Sequence, residues 1–312
     1  MRVRNGLRKL AGASLLAGLL VLAACDGLEP ARFEPELVVE SYQIAGRSLQ
    51  PVWVRRTAEI NTPYDPEARA VSGARVEVAL LDTSGGVEQV VPFREVFGDP
   101  GRYVAEVEHR VQPLRRYRLS VEDPATGQRL TAETLVPDTF RVAGVNRDTV
   151  VYQSRQQFEV QVTPSRYPGR QSYYVLSVEA LTPTVDNLTP LYRDFVDPED
   201  SDPEDLQDDL RNFTIVESPI INESSFDIGS DGTVSVRLPW LGVAFYGPNR
   251  VTVSALDDNL YDFLRSQAVQ QGGSTLAPGE IPNVIEHVEG GRGLFSSLAQ
   301  ATFEVFVARE AE

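Results

Sequence analysis

Lysine is almost missing from this chain of 312 residues: Lys9 is the only one, and every other basic residue is an arginine. The chain has one cysteine, one methionine, two tryptophans and two histidines. A single cysteine excludes an intramolecular disulfide and a zinc site built on several thiolates. The histidines, His109 and His287, belong to no H-E-x-x-H spacing, and the sequence contains no G-x-S-x-G elbow and no P-loop. Positive charge is scarce as well. With 29 Lys+Arg against 45 Asp+Glu the formal charge is −16, so the basic footprint needed for a nucleic-acid partner is absent. No apolar run reaches the roughly 20 residues that span a bilayer as a helix.

The N-terminus carries an address. Arg2, Arg4, Arg8 and Lys9 precede an apolar run from Leu10 to Leu22, which ends in Ala23-Ala24-Cys25. A basic stretch, a short apolar run and small residues make a secretory signal. Leu22-Ala23-Ala24-Cys25 resembles a bacterial lipobox. Residues 1–24 are therefore expected to be a signal peptide cleaved between Ala24 and Cys25, with Cys25 lipidated and 25–34 a tether. Each buried methylene contributes about 0.8 kcal/mol, and stable anchoring takes more than one acyl chain. A multiply acylated Cys25 meets that requirement. The signal holds four basic residues and no acidic one, so its removal leaves 25 arginines against 45 carboxylates, a net −20. A hydrophobic content of 42% with 24% charged residues is that of a folded globular body.

Period-two alternation dominates the remainder. Val76, Val78 and Leu80 alternate with Arg75, Glu77 and Ala79; Tyr103, Ala105 and Val107 with Val104 and Glu106; and Tyr117, Leu119 and Val121 with Arg118 and Ser120. Such alternation is the mark of half-buried strands. Gly, Pro and Asp cluster where the chain would reverse, as in Asp82–Gly86, Asp99-Pro100-Gly101 and Asp123–Gly127. The expected fold is mostly β: two antiparallel β-sandwich (Ig-like or transthyretin-like) domains, 35–138 and 139–312, with one or two short helices in the second. One helix is expected near 258–269, capped by Asp257-Asp258, striped by Leu260, Phe263, Leu264 and Ala268, and stopped by Gly272-Gly273. Gly290-Gly291-Arg292-Gly293 reads as a backbone turn with positive φ values that feeds a strand at Leu294-Phe295.

The residues 197–209 form the most charged stretch. Asp197, Glu199, Asp200, Asp202, Glu204 and Asp205 are weak candidates for a cation site. They lack the central glycine and spaced terminal glutamate of an EF-hand, so a solvated acidic loop is the expected structure. Trp53, Trp240, Phe245 and Tyr246 would serve as a sugar-stacking platform if the fold brought them together, although core or rim positions are the commoner use of such residues. No catalytic residue, cofactor or confident metal ligand is identified, and the chain is expected not to be an enzyme.

Several further segments occur in a characteristic order: Phe33–Ser41, Val71–Val78, Pro100-Gly101-Arg102-Tyr103, Tyr117–Val121, Ile281-Pro282-Asn283-Val284 and Glu289–Phe295. With the lipobox, this order resembles the Bacteroidota lipoproteins grouped as domain of unknown function 4249. The part from Val71 to about Pro137 is similar to carboxypeptidase-regulatory-like, transthyretin-type sandwiches. The resemblance implies a lipid-anchored cell-envelope protein at the outer membrane, a TonB-dependent receptor as its expected partner, and no catalytic residues to carry over. The expected role is thus a non-enzymatic accessory or binding module. The alternatives are an envelope hydrolase or carbohydrate-active enzyme with an unrecognised site, or a structural envelope lipoprotein. A deep pocket holding His109 or His287 beside a carboxylate would point to the enzyme.

Overall fold

A computed structural model describes residues 33–63, 65–155, 157–196, 202–268 and 284–309. The signal peptide, Ala24, Cys25, the tether up to residue 32, and Asp197, Glu199 and Asp200 lie outside the described residues. The chain divides into a small unit, 1–35 with 58–62, and a large one, 36–57 with 63–312. In the small unit the Thr62 amide donates to the Glu59 carbonyl at 3.0 Å. The large unit holds the strands, helices and cleft.

Its strands are β1 (Leu37–Ile44), β2 (Val52–Arg56), β3 (Arg75–Leu81), β4 (Val87–Val96), β5 (Asp99–Ala105), β6 (Arg116–Glu122), β7 (Arg129–Leu135), β8 (Val142–Val145) and β9 (Thr149–Val151). Then come β10 (Glu159–Val162), β11 (Tyr173–Ala180), β12 (Ile215–Glu217), β13 (Ile221–Asn222), β14 (Asp227–Ile228), β15 (Val234–Arg237), β16 (Gly247–Leu256), β17 (Val288–Glu289) and β18 (Arg292–Ala308). The helices are α1 (Pro190–Val196), α2 (Pro203–Thr214) and α3 (Asp258–Ala268).

The architecture is mostly β and sandwich-like, in two parts. In the first, the ladder runs β1-β2-β5-β4-β3-β6-β7-β17. Because β17 leads directly into β18, and β18 pairs with β1, the first sheet closes on itself. Leu37, Val54, Val78, Leu119, Leu130 and Phe295 are among the residues buried inside it. In the second part, β11, β16 and the end of β18 face a smaller sheet, β14-β15-β10-β8. Val160, Leu176, Val236, Val253, Ala301 and Val305 are among those filling the space between. Fully burying one such aliphatic side chain contributes about 1.5–3 kcal/mol, and both cores hold many.

β18 belongs to both cores. Its 17 residues are about three times the usual strand length. Phe295 points into the first core, and Ala299, Ala301, Val305 and Val307 into the second. From Leu294 to Ala299 the strand is buried on both faces, because Leu294 and Leu298 are roofed by Leu260, Phe263 and Leu264 of α3. Residues beyond 284, placed by sequence in the C-terminal half, thus complete the N-terminal sheet.

The mostly β, sandwich-like expectation holds, and two details sharpen it. The sheets are not wholly antiparallel: β18 runs parallel to β1 and to β9. Alternation reports which side chains are buried and is blind to the direction of the neighbouring strand. Among the described residues α1 and α2 join the helix expected near 258–269. Residues 203–209 of the acidic stretch are helical, the Asp202 carboxylate capping α2 by accepting the amides of Glu204 and Asp205, each at 3.0 Å. Pro203 occupies the first turn, where its missing N–H costs nothing. Leu206, Leu210 and Phe213 pack against Leu188, Tyr192 and Phe245. Among the described residues no helix is long and apolar enough to cross a membrane.

One polar anchor holds the far end of the first sheet. The buried Asp123 accepts the Ala125 amide at 2.9 Å and the Thr126 hydroxyl at 2.8 Å, and pairs with Arg56. Burial alone would raise its pKa, but the Thr126 hydroxyl, the Ala125 amide and the Arg56 guanidinium together lower it. A depressed carboxyl contributes stability that is present above its unfolded pKa and lost as pH falls through the folded value. Asp123→Ala is expected to cost about 2 kcal/mol, measured by denaturant unfolding at pH 7, and the deficit should shrink toward pH 3.

Candidate functional site

A cleft of about 790 Å³ opens where β7 and β18 part company. β7 pairs with β17 only at Thr131 and Ala132. Beyond that point the first turn of α3 spans the gap with side chains. The Asn259 amide donates to the Glu133 carbonyl of β7 at 2.6 Å and to the Phe295 carbonyl of β18 at 2.7 Å. The Asp257 carboxylate accepts the Thr134 hydroxyl at 2.6 Å, the Ser297 amide at 3.0 Å and the Leu260 amide at 2.8 Å. The last of these is the helix cap anticipated from sequence. Asp257 is fully buried. Burial raises its pKa to about 7 against the pull of the Thr134 hydroxyl and the Leu260 and Ser297 amides, with the Asp258 charge adding to the rise.

This polar seam forms one end of the cleft. Its floor is the outer face of β6 and β7, with Arg116, Arg118, Thr131 and Glu133, and its far wall is the segment from Glu286 to Glu289. Most charges here are already matched. Arg118 pairs with Glu133 at 2.6 Å, and Asp258 with Arg170 at 2.6 Å. Glu286 pairs with Arg292 at 3.2 Å and accepts the Gly293 amide at 3.0 Å. His287 Nε2 lies 2.8 Å from Asp262 Oδ2. Among the described residues Arg116 has no carboxylate within ion-pair range and Glu289 has no cation. A second, apolar pocket of about 250 Å³ lies beneath α3, bordered by Leu260, Phe263, Leu264 and Tyr42.

The sequence-stated candidates fall in separate places. His287 is at the cleft, half-exposed beside Asp262. His109 is buried in the first sandwich, its Nε2 2.9 Å from the Tyr117 hydroxyl, which also accepts the Gln112 amide at 2.8 Å. Burial lowers its pKa, so it is a neutral core histidine. Asp202, Glu204 and Asp205 are exposed on α2, with Asp202 occupied as a cap. Among the described residues no three His, Cys, Asp or Glu side chains are arranged to hold a metal ion. The aromatic platform does not assemble. Trp53 stands on β2 under Arg55 and Arg102, at 4.9 and 5.6 Å. Trp240 and Tyr246 edge onto Tyr152, each at 5.5 Å, in the second core, and Phe245 is wholly buried. Arg116, Arg118 and Glu133 carried no motif; the only trace in sequence was polar residues alternating on strands, which every half-exposed strand shares.

The family model for a domain of unknown function (DUF4249) matches residues 27–304. The chain belongs to this family. The match covers both sandwiches, α3 and the cleft. A comparison with curated proteins gives no match. Among solved structures, the chain is similar to the alpha-2-macroglobulin of Escherichia coli activated by porcine elastase, at 12% identity and a TM-score of 0.23 over 88% of this chain and 23% of that one. It is similar also to the native conformation of the same E. coli protein, at 9% identity and a TM-score of 0.21 over 89% of this chain and 17% of that one. Salmonella alpha-2-macroglobulin reacted with methylamine gives 10% identity and a TM-score of 0.20 over 89% of this chain and 24% of that one. The DUF4249 chain spans less than a quarter of each of these proteins, and likeness at this level transfers neither fold nor function.

Proposed function

We propose that this DUF4249 protein is a lipid-anchored binding module of the bacterial envelope, held at the outer membrane by an acylated Cys25 and working beside a TonB-dependent receptor. The reading takes the chain as a Bacteroidota lipoprotein whose first sandwich is of the transthyretin type. The observation that carries the binding role is the open, polar cleft at the seam, where among the described residues Arg116 has no carboxylate and Glu289 no cation in ion-pair range. Its walls are strands and a helix start locked by Asp257 and Asn259, a rigid frame that suits ligand capture. The test is recovery of the tagged full-length protein from its native envelope in detergent, with Cys25→Ala as control. Stoichiometric recovery of a TonB-dependent receptor with the native protein and not with the control is expected. Recovery of no partner would remove the transporter from the reading.

One observation favours a second reading. His287, which lines the seam cleft, forms a dyad with Asp262, the arrangement expected of an acid–base pair. Among the described residues no hydroxyl hydrogen-bonds His287, so on this reading the pair would act by activating water. Hydrolysis of ester or glycoside substrates that is abolished by His287→Ala would establish this alternative; we expect none.

A further inference from the structure

We infer that the seam cleft takes a short peptide by its two charged termini, the carboxylate at Arg116 and the ammonium at Glu289. The inference rests on the cleft being a ligand site. Four carboxylates line it, yet Glu133, Asp258 and Glu286 are each committed to an arginine. Among the described residues that leaves Glu289 as the unmatched anion and Arg116 as the unmatched cation, both exposed at opposite corners. An anionic ligand would satisfy Arg116 and be repelled by Glu289, and a cationic ligand would do the reverse. A zwitterion satisfies both.

Spacing sets its length. Arg116 stands opposite Leu135 in the β6–β7 register, and Glu289 opposite Thr131 in the β7–β17 register. Four residues along a strand and two strand spacings across separate the two backbones by about 16 Å. The side chains close part of that gap. An extended peptide advances about 3.3–3.6 Å per residue, so about three or four residues connect the two charges, whereas a single amino acid does not. Between the corners, the Thr131 hydroxyl and the Arg118–Glu133 pair offer donors and acceptors to peptide amides.

The test is calorimetric titration of the full-length protein in detergent with tetra-alanine, its N-acetyl form, its C-terminal amide and free alanine. Tetra-alanine is expected to bind, and blocking either terminus to weaken binding at least tenfold. Arg116→Gln should abolish the preference for acid over amide while keeping the preference for a free amine, and Glu289→Gln should do the opposite. Both residues are exposed, and thermal melts of the variants check that the fold is kept. Equal binding of all three tetrapeptides, tighter binding of free alanine, or no binding of tetra-alanine at millimolar concentration would overturn the inference. The envelope recovery experiment is independent: a captured receptor without peptide binding sinks only the ligand assignment, and peptide binding without a receptor sinks only the transporter link.

Discussion

Replacing Asp257 by asparagine is expected to cost about 2 kcal/mol at pH 5 and to cost nothing, or to stabilise, at pH 8. The reversal follows from where the carboxyl sits. It is fully buried between β7, β18 and the start of α3, and its pKa is raised to about 7. In the unfolded chain an aspartate titrates near 3.9. Between those values the folded state keeps a proton that the unfolded state has released. The stability this group contributes is therefore complete below about pH 4, falls as pH rises through about 7, and then levels off. About three pH units correspond to as much as about 4 kcal/mol. A protonated Asp257 donates to the Thr134 hydroxyl, which passes its own proton toward Ser297 Oγ at 2.5 Å, while the Ser297 and Leu260 amides remain satisfied. Asparagine cannot accept both amides and so is inferior at low pH, but it never has to hold a buried charge. His109, whose pKa burial lowers, works in the opposite direction below its unfolded pKa; it is common to both proteins and cancels in the difference. Denaturant unfolding at pH 5, 6.5 and 8 reads the effect, and parallel pH profiles for the two proteins would refute it.

Gly293→Ala is expected to be among the most damaging single changes in the molecule, at about 4 kcal/mol or more. Here β17 leaves β7 and, within a few residues, β18 joins β1. At Gly293 φ is +110°, and an added Cβ would lie inside the van der Waals radius of the Val39 carbonyl oxygen and 2.9 Å from the Val39 amide nitrogen. These are backbone atoms of a paired strand, so they cannot swing aside as a flexible side chain would. Gly46 separates the two penalties: its φ is +75°, and nothing lies within 4 Å of an added Cβ. Gly46→Ala should cost only the left-handed backbone penalty, about 1–2 kcal/mol. Thermal and denaturant melts of the two variants provide the comparison. Equal destabilisation would mean that close approach at Gly293 is not what the strand crossing requires.

The acidic stretch shows where local reading went astray. Asp202-Pro203-Glu204-Asp205 is a helix start in plain form: a capping aspartate, a proline in the first turn, and acids placed against the positive end of the helix dipole. Leu206, Leu210 and Phe213 follow at helical spacing. The signal was present but was outweighed by the density of like charge, which on average marks a solvated loop. The cap of α3 was read correctly from Asp257 because an apolar stripe of ordinary strength followed it. The aromatics went the other way. Trp53 and Trp240 look equivalent in sequence, and only the assignment of β2 and Trp240 to different cores shows that they never meet.

What the amino-acid order determined by itself is local. Alternating side chains set the strands, glycine and aspartate set the reversals, and the glycines of Gly290–Gly293 announced a turn with positive φ, observed at Gly290 and Gly293. Each depends on neighbours a few residues apart, within reach of steric exclusion and of a single hydrogen bond. Tertiary structure alone decided that one strand, Arg292–Ala308, serves two cores, that it runs parallel to β1, and that Asp257 is deprived of water. It also decided that Arg116 and Glu289 face one cleft with no ion-pair partner among the described residues. These depend on residues more than a hundred positions apart, and their energies, from desolvation and packing, arise only once the chain has closed on itself.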